Sequence, residues 1–130
     1  MSAEYLEPAG LGPPTDPFTH VIVVDRTVYV AGQIALDEQN EIVGVGDPTR
    51  QAEQCWHNIG LALAAAGCTL ADIVKLTVFL KDVRHGPAET AVRRKLFAPD
   101  RLPVCTLVQV ANLGFPELLM ELDVVAHRPA

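Results

Sequence analysis

The sequence predicts an α+β fold: a mixed β-sheet covered on one face by two helices, in the order β-β-β-α-β-α-β-β. Three observations lead there. Runs of β-branched residues bounded by turn residues outnumber helical stretches. Only two segments repeat apolar residues at three- and four-residue steps. The final strand-like run is wholly apolar at every second position only, so one of its faces is built to be covered. The chain has 130 residues, 49% hydrophobic and 20% charged, which makes it one domain's worth of ordinary globular sequence.

Residues 1–17 hold four of the ten prolines (Pro8, Pro13, Pro14, Pro17) with Gly10 and Gly12 among them. Proline removes amide donors and fixes φ, so an extended arm without regular structure is expected here, leaving residues 18–130 as a single domain. Residues 19–24 and 27–31 read as strands joined at Asp25-Arg26, a poor pair for a type I′ turn. Residues 33–36 continue as strand, Asp37-Glu38-Gln39-Asn40 is a polar turn, and residues 41–43 form a short strand or loop. Asp47-Pro48 then supplies a helix N-cap and a proline at the first helical position. Ala52, Cys55, Trp56, Ile59, Ala62, Leu63 and Ala66 make one apolar stripe, and Gly67 ends a helix of about five turns.

Residues 74–80 are a strand by their Val, Thr and Phe content, and residues 81–86 turn the chain. Residues 87–97 form the second helix, with Ala88, Ala91, Val92 and Leu96 on its inner side. Pro99 and Pro103 bracket a loop before the last two strands, residues 104–110 and 118–126. In the last strand Leu118, Met120, Leu122, Val124 and Ala126 make an apolar face for the helices, while Leu119, Glu121, Asp123 and Val125 alternate with them. A water-facing sheet is usually more polar than this second face, and a core excludes two carboxylates. It reads as an intersubunit face with one acid lining a cleft, or else as a half-solvated face with two surface acids.

The formal net charge of −6, with only Arg93, Arg94 and Lys95 as a basic cluster, argues against nucleic-acid binding. Three cysteines (Cys55, Cys68, Cys105) without CxxC spacing read as reduced thiols of a cytoplasmic protein, neither a disulfide framework nor a zinc site. No two of His20, His57, His85 and His127 stand at i, i+4, so no metal is expected. There is no apolar run of eighteen residues, and no basic segment followed by an apolar one near residue 1, so neither a membrane span nor export is expected.

Several blocks occur in order over about residues 17–127: Tyr29-Val30-Ala31-Gly32-Gln33-Ile34, Asn58, Ala65-Ala66-Gly67, Asp72 to Asp82, Pro103 to Leu113, and Met120 to Ala126. With these the chain resembles the Rid (reactive intermediate deaminase, YjgF-type) superfamily. The resemblance implies a chorismate-mutase-like fold, a homotrimer, and a small-molecule pocket in each cleft between neighbouring subunits. It also implies hydrolytic deamination of an imine or enamine to a carbonyl compound and ammonia, with neither metal nor cofactor. By the same resemblance Glu121 is the catalytic, water-positioning glutamate, and Gly32 and Gln33 match substrate-binding positions. Cys105 stands where the archetype has a carboxylate-gripping arginine, Phe18 where it has a pocket tyrosine, and Thr90 where it has a pocket asparagine. The loop 98–103 is shorter than in the archetype.

These departures have consequences. A guanidinium grips a carboxylate through two parallel charge-assisted bonds, which a thiol cannot make. An unpartnered buried carboxylate costs about 3–5 kcal/mol, more than a hundredfold in rate or binding. The standard 2-imino acid is therefore not the expected substrate, unless Arg101 swings in from its loop as a substitute. Cys105 itself reads either as a nucleophile, which needs a nearby cation, or as a small pocket-lining residue. Glu121 reads as a general base or water anchor, or as a structural carboxylate at a subunit interface. A non-catalytic ligand-binding or regulatory trimer is the alternative to the deaminase. Endoribonuclease activity, attributed to some members of the superfamily, sits poorly with the acidic balance.

Overall fold

A computed structural model describes residues 2–130. Its elements are β1 (Ala3–Leu6), β2 (Val21–Val24), β3 (Thr27–Gln33), α1 (Pro48–Ala65), β4 (Ile73–Leu80), α2 (Gly86–Arg94), β5 (Val104–Gln109) and β6 (Met120–His127). The six strands form one mixed sheet in the order β1-β2-β3-β6-β4-β5. Neighbours are antiparallel except β4 and β5, which are parallel because α2 carries the chain back between them.

The expected order β-β-β-α-β-α-β-β holds, but its members differ. The first strand is Ala3–Leu6, which corrects the expectation of no regular structure over residues 1–17. No proline precedes Pro8, so these four residues keep their amides and pair with β2 from Ala3↔Val24 to Leu6↔Val21. Residues 33–36 are not a strand of their own. Gln33 ends β3, and Leu36↔Ile42 is an isolated bridge across the polar turn. At the β2–β3 turn Asp25 is left-handed (φ 55°) and Arg26 is not, so the turn is not type I′.

Helix α1 begins as expected, with the Asp47 side chain accepting from Arg50 N at 3.0 Å, and it ends before a left-handed Gly67 (φ 74°). Its stripe of Ala52, Cys55, Trp56, Ile59, Ala62 and Leu63 is buried against the sheet. Three polar residues of α1 are buried too, each with partners. Gln51 donates to Gly44 O and Glu117 O and accepts from Leu119 N, while Asn58 donates to Ile34 O and Leu36 O. Gln54 donates to Leu36 O and Asn58 Oδ1, so this polar row ties the loop after β3 to the helix.

The inner side of α2 is not the expected one. Gly86, Glu89 and Val92 are buried, whereas Ala91 and Leu96 are exposed. The carboxylate of Glu89 is fully buried, accepts from Trp56 Nε1 at 3.0 Å, and pairs with Arg93. A carboxylate so satisfied takes a core place that apolar periodicity assigns to alanine or leucine. In β6, Met120, Leu122, Val124 and Ala126 are buried under the helices, and Leu119, Glu121, Asp123 and Val125 lie half-buried on the other side. Among the described residues no helix covers that second face. Tyr29, Val74, Val104 and Val108 stand exposed on it or along its edge.

Candidate functional site

The sheet register decides which predicted residues meet. In β3 and β6, Val30 pairs Val124 and Gln33 pairs Leu122, so Ala31 and Gly32 together face Asp123 in a bulge. Next to that bulge rises Glu121. A Cβ at Gly32 would fall on Glu121 Oε2 and within 2.8 Å of its Cδ, so the glycine is the space the carboxylate occupies. Among the described residues no protein group donates a hydrogen bond to Glu121. Burial, then the negative charge of Asp123, raise its pKa above the ordinary glutamate value. Burial also raises the pKa of Asp123, with Lys75 pulling it back down.

Beside the bulge the arm after β1 folds back to close a cavity of about 90 Å³, lined in part by Phe18, His20, Gly32, Gln33, Asn58 and Phe115. The arm is held by Asn40 Nδ2 donating to Pro13 O (3.0 Å) and His20 Nε2 donating to Gly12 O (3.1 Å). Gln33 is buried and donates through Nε2 to His20 Nδ1 (3.2 Å) and Ala31 O (3.1 Å), leaving its Oε1 without a protein donor among the described residues. Phe18 packs edge-on against the His20 ring at 5.3 Å. Phe18, Gly32 and Gln33 are thus brought together at the cavity, and Glu121 joins them through its contact with Gly32, since Gln33 pairs with Leu122 on the helix-covered side. His20, which orients Gln33, was missed by sequence reasoning. Its position two residues after Phe18, on the same side of an extended chain, was the available signal.

Thr90 and Cys105 lie elsewhere. Cys105 pairs with Leu76, whose side chain is buried under the helices, whereas Glu121 pairs with Phe79 on the uncovered side. The two therefore project from opposite faces of the sheet. Gly32 on β3 is three strand spacings from β5, about 14 Å. Within one chain the six predicted site residues form two separate groups.

The second group contains Arg93, read from the sequence only as part of a basic cluster. Arg93 Nε and Nη2 donate to the Glu89 carboxylate at 3.1 and 2.9 Å, Nη2 reaches Thr90 Oγ1 at 3.4 Å, and Nη1 reaches Cys105 Sγ at 3.2 Å. Arg101, weighed from the sequence as a substitute cation, is exposed in its loop, and the guanidinium beside Cys105 is that of Arg93. Among the described residues no three His, Cys, Asp or Glu side chains are grouped to hold a metal ion, and no helix is long and apolar enough to cross a membrane.

The sequence model of the family described as endoribonuclease L-PSP matches residues 11–128. The chain belongs to this family, known also as YjgF, RutC or Rid. Among its L-PSP relatives, the 3-aminoacrylate deaminase RutC of Acinetobacter baylyi is 36% identical over 127 residues, 98% of this chain and 99% of that one. The 2-iminobutanoate/2-iminopropanoate deaminase of Capra hircus is 35% identical over 106 residues, 82% of this chain and 74% of that one. The crystal structure of yeast Mmf1 superposes with a TM-score of 0.92 at 27% identity, covering 98% of this chain and all of that one. The α+β fold is thus the L-PSP fold.

Proposed function

We propose that the protein hydrolyses a reactive imine or enamine to a carbonyl compound and ammonia, with Glu121 as the group that positions and deprotonates the water. One observation carries this: a half-buried carboxylate with no protein donor stands over a glycine, beside a cavity lined by Gln33 and Phe18. Such a carboxylate is free to accept from a water, and its raised pKa suits it to take a proton and return it. The water oxygen bonds to the C=N carbon while its proton passes by way of Glu121 to nitrogen. The carbinolamine hydroxyl then gives its proton by way of Glu121 to nitrogen as the C–N bond breaks, releasing ammonia and leaving C=O. At the family level imine deamination agrees with the names of the two relatives above.

We further propose that this happens in a homotrimer. Gly32 and Gln33 on β3 lie about 14 Å across the sheet from Cys105 on β5, and Glu121 on β6 lies two strand spacings (about 10 Å) from it and on the opposite face, so a second copy is needed to complete one cleft. The uncovered face with Tyr29, Phe79, Val108 and Val125 supports the same reading, since apolar sheet faces seek a partner. The ligand is a small molecule, and the three free thiols suit a cytoplasmic protein. The exclusion of 2-imino acids assumed no cation beside Cys105. Arg93 removes that ground.

The test generates several imines in situ with an amino-acid oxidase and follows ammonia release with the parent and with Glu121→Gln. The parent is expected to shorten imine lifetimes, and the variant to lose about a hundredfold or more. If the parent leaves every lifetime unchanged, the deaminase reading is wrong. The replacement of arginine, tyrosine and asparagine by Cys105, Phe18 and Thr90 then favours a non-catalytic ligand-binding trimer. Sedimentation showing a monomer removes the shared cleft. Incubation with RNA checks endoribonuclease activity, against which the net charge of −6 weighs.

A further inference from the structure

The one basic cluster of this acidic chain, Arg93-Arg94-Lys95, has no part in the chemistry assigned to Glu121. The structure shows what two of these residues do. Arg93 closes over Glu89, whose carboxylate is completely buried, while the side chain of Arg93 keeps 18% of its surface exposed. The pair is neutral in sum, but its positive end is the one that faces out. Two bonds to Glu89 and one to Thr90 fix the guanidinium plane, so it is preorganised rather than mobile.

Its remaining nitrogen is poorly matched. Nη1 is the guanidinium nitrogen with no oxygen acceptor among the described residues, and its partner there is the sulfur of Cys105, a weak acceptor. A charged donor facing a weak acceptor at an exposed edge gains most from an anion, because charge-assisted bonds are about twice as strong as neutral ones. Alongside runs an open groove of about 490 Å³, lined by Val83, Pro87, Thr90, Ala91, Arg94 and Leu107. Thr90 belongs to both the groove and the Arg93 contacts, and Arg94 adds a second cation to the groove wall. Apolar walls with Arg94 among them, and Arg93 bonded to the Thr90 that they share, fit a small organic acid.

We infer that Arg93, set by Glu89 and flanked by Thr90, Arg94 and Cys105, is a carboxylate-binding site on the α2–β5 seam. In the assembled cleft it holds the acid group of the imine substrate, and to that extent the inference rests on the deaminase reading. The substrate class is then a carboxylate-bearing imine or enamine gripped from a helix.

The experiment titrates the parent with pyruvate, a small carboxylate-bearing ketone, and separately with acetone, in which a methyl replaces the carboxylate. Arginine side-chain N–H resonances are followed by NMR. Pyruvate should shift the Arg93 signals and bind about tenfold or more tightly than acetone, the size of one hydrogen bond to a charged group. The Glu89→Gln/Arg93→Met double variant removes both charges, so no buried carboxylate is left bare, and should lose the preference for pyruvate. A purely structural Arg93 would leave that preference intact, and an unchanged preference in a folded double variant overturns the site. If the double variant does not fold, the parent still decides: Arg93 signals that ignore pyruvate overturn the site, and signals that follow it support it. Pyruvate binding at Arg93 without any ammonia release takes down the deaminase reading and leaves the site standing. Ammonia release from a carboxylate-bearing imine at an unchanged rate in the double variant does the reverse.

Discussion

Replacing Gly32 by alanine adds one carbon at the place where the Glu121 carboxylate rests. The new Cβ would fall on Oε2, lie 2.8 Å from Cδ and 3.2 Å from Cγ. The φ of Gly32 is not in the left-handed range, so the backbone itself accepts alanine. The clash is with the far end of a flexible side chain, and Glu121 is half-buried with room to turn aside. Turning it off its preferred rotamer costs about 0.5–1.5 kcal/mol, so Gly32→Ala should lower stability by no more than about 1.5 kcal/mol. The cost to catalysis is of another order. Moving a reacting group by about 1 Å costs about a hundredfold in rate, or about 2.7 kcal/mol at 1.36 kcal/mol per factor of ten. The assay is ammonia release from an imine generated in situ, with a thermal melt of the same sample. Gly32→Ala is expected to melt within a few degrees of the parent and to lose about a hundredfold in kcat/KM. Added to Glu121→Gln, it should cost little more, since both act on one carboxylate. Activity within threefold of the parent, or a folded-state loss above about 3 kcal/mol, refutes the reasoning.

Three further outcomes follow from the same geometry. Glu121 must be ionised to act as base, so kcat/KM should fall with decreasing pH through its raised pKa, and Asp123→Asn, by removing a negative neighbour, should move that acid limb to lower pH. Because the folded-state pKa lies above the unfolded one, ionised Glu121 opposes folding at neutral pH. Glu121→Gln should therefore raise the melting temperature at pH 7 but not below about pH 4, where both states are protonated. Glu89→Ala strips the acceptor from Trp56 Nε1 and the counter-charge from Arg93, and should cost about 3 kcal/mol in urea unfolding at fixed protein concentration, with Glu89→Gln costing less; a loss under about 1 kcal/mol contradicts the pair's role.

What could be read in advance followed from local rules. The stripe of α1, its Asp47 cap and Gly67 end, and the alternation along β6 are set by the repeat of side-chain direction along a helix or strand, which depends on neighbours in sequence. The α2 pattern misled because periodicity counts only apolar residues, and Glu89 earns its buried place through Trp56, thirty-three positions away in the chain. Ala3–Leu6 could not be recognised as a strand for the same kind of reason. Four residues have little signal of their own, and it is the exposed edge of β2 that makes them a strand.

The candidate site divides along the same line. The sequence by itself determined the fold class, the family blocks, and the chemistry on offer: a carboxylate at Glu121, a glycine at 32, an amide at Gln33, and a thiol at Cys105. Only the tertiary structure decided which of these meet. Register places Glu121 and Cys105 on opposite faces of the sheet, and strand order separates β3 from β5 by two intervening strands. It also brought Arg93 to Cys105, twelve residues on, through a helix whose orientation is set by a buried carboxylate. Side-chain type is a property of one position, whereas convergence depends on pairings between distant segments, and those become visible once the chain has folded.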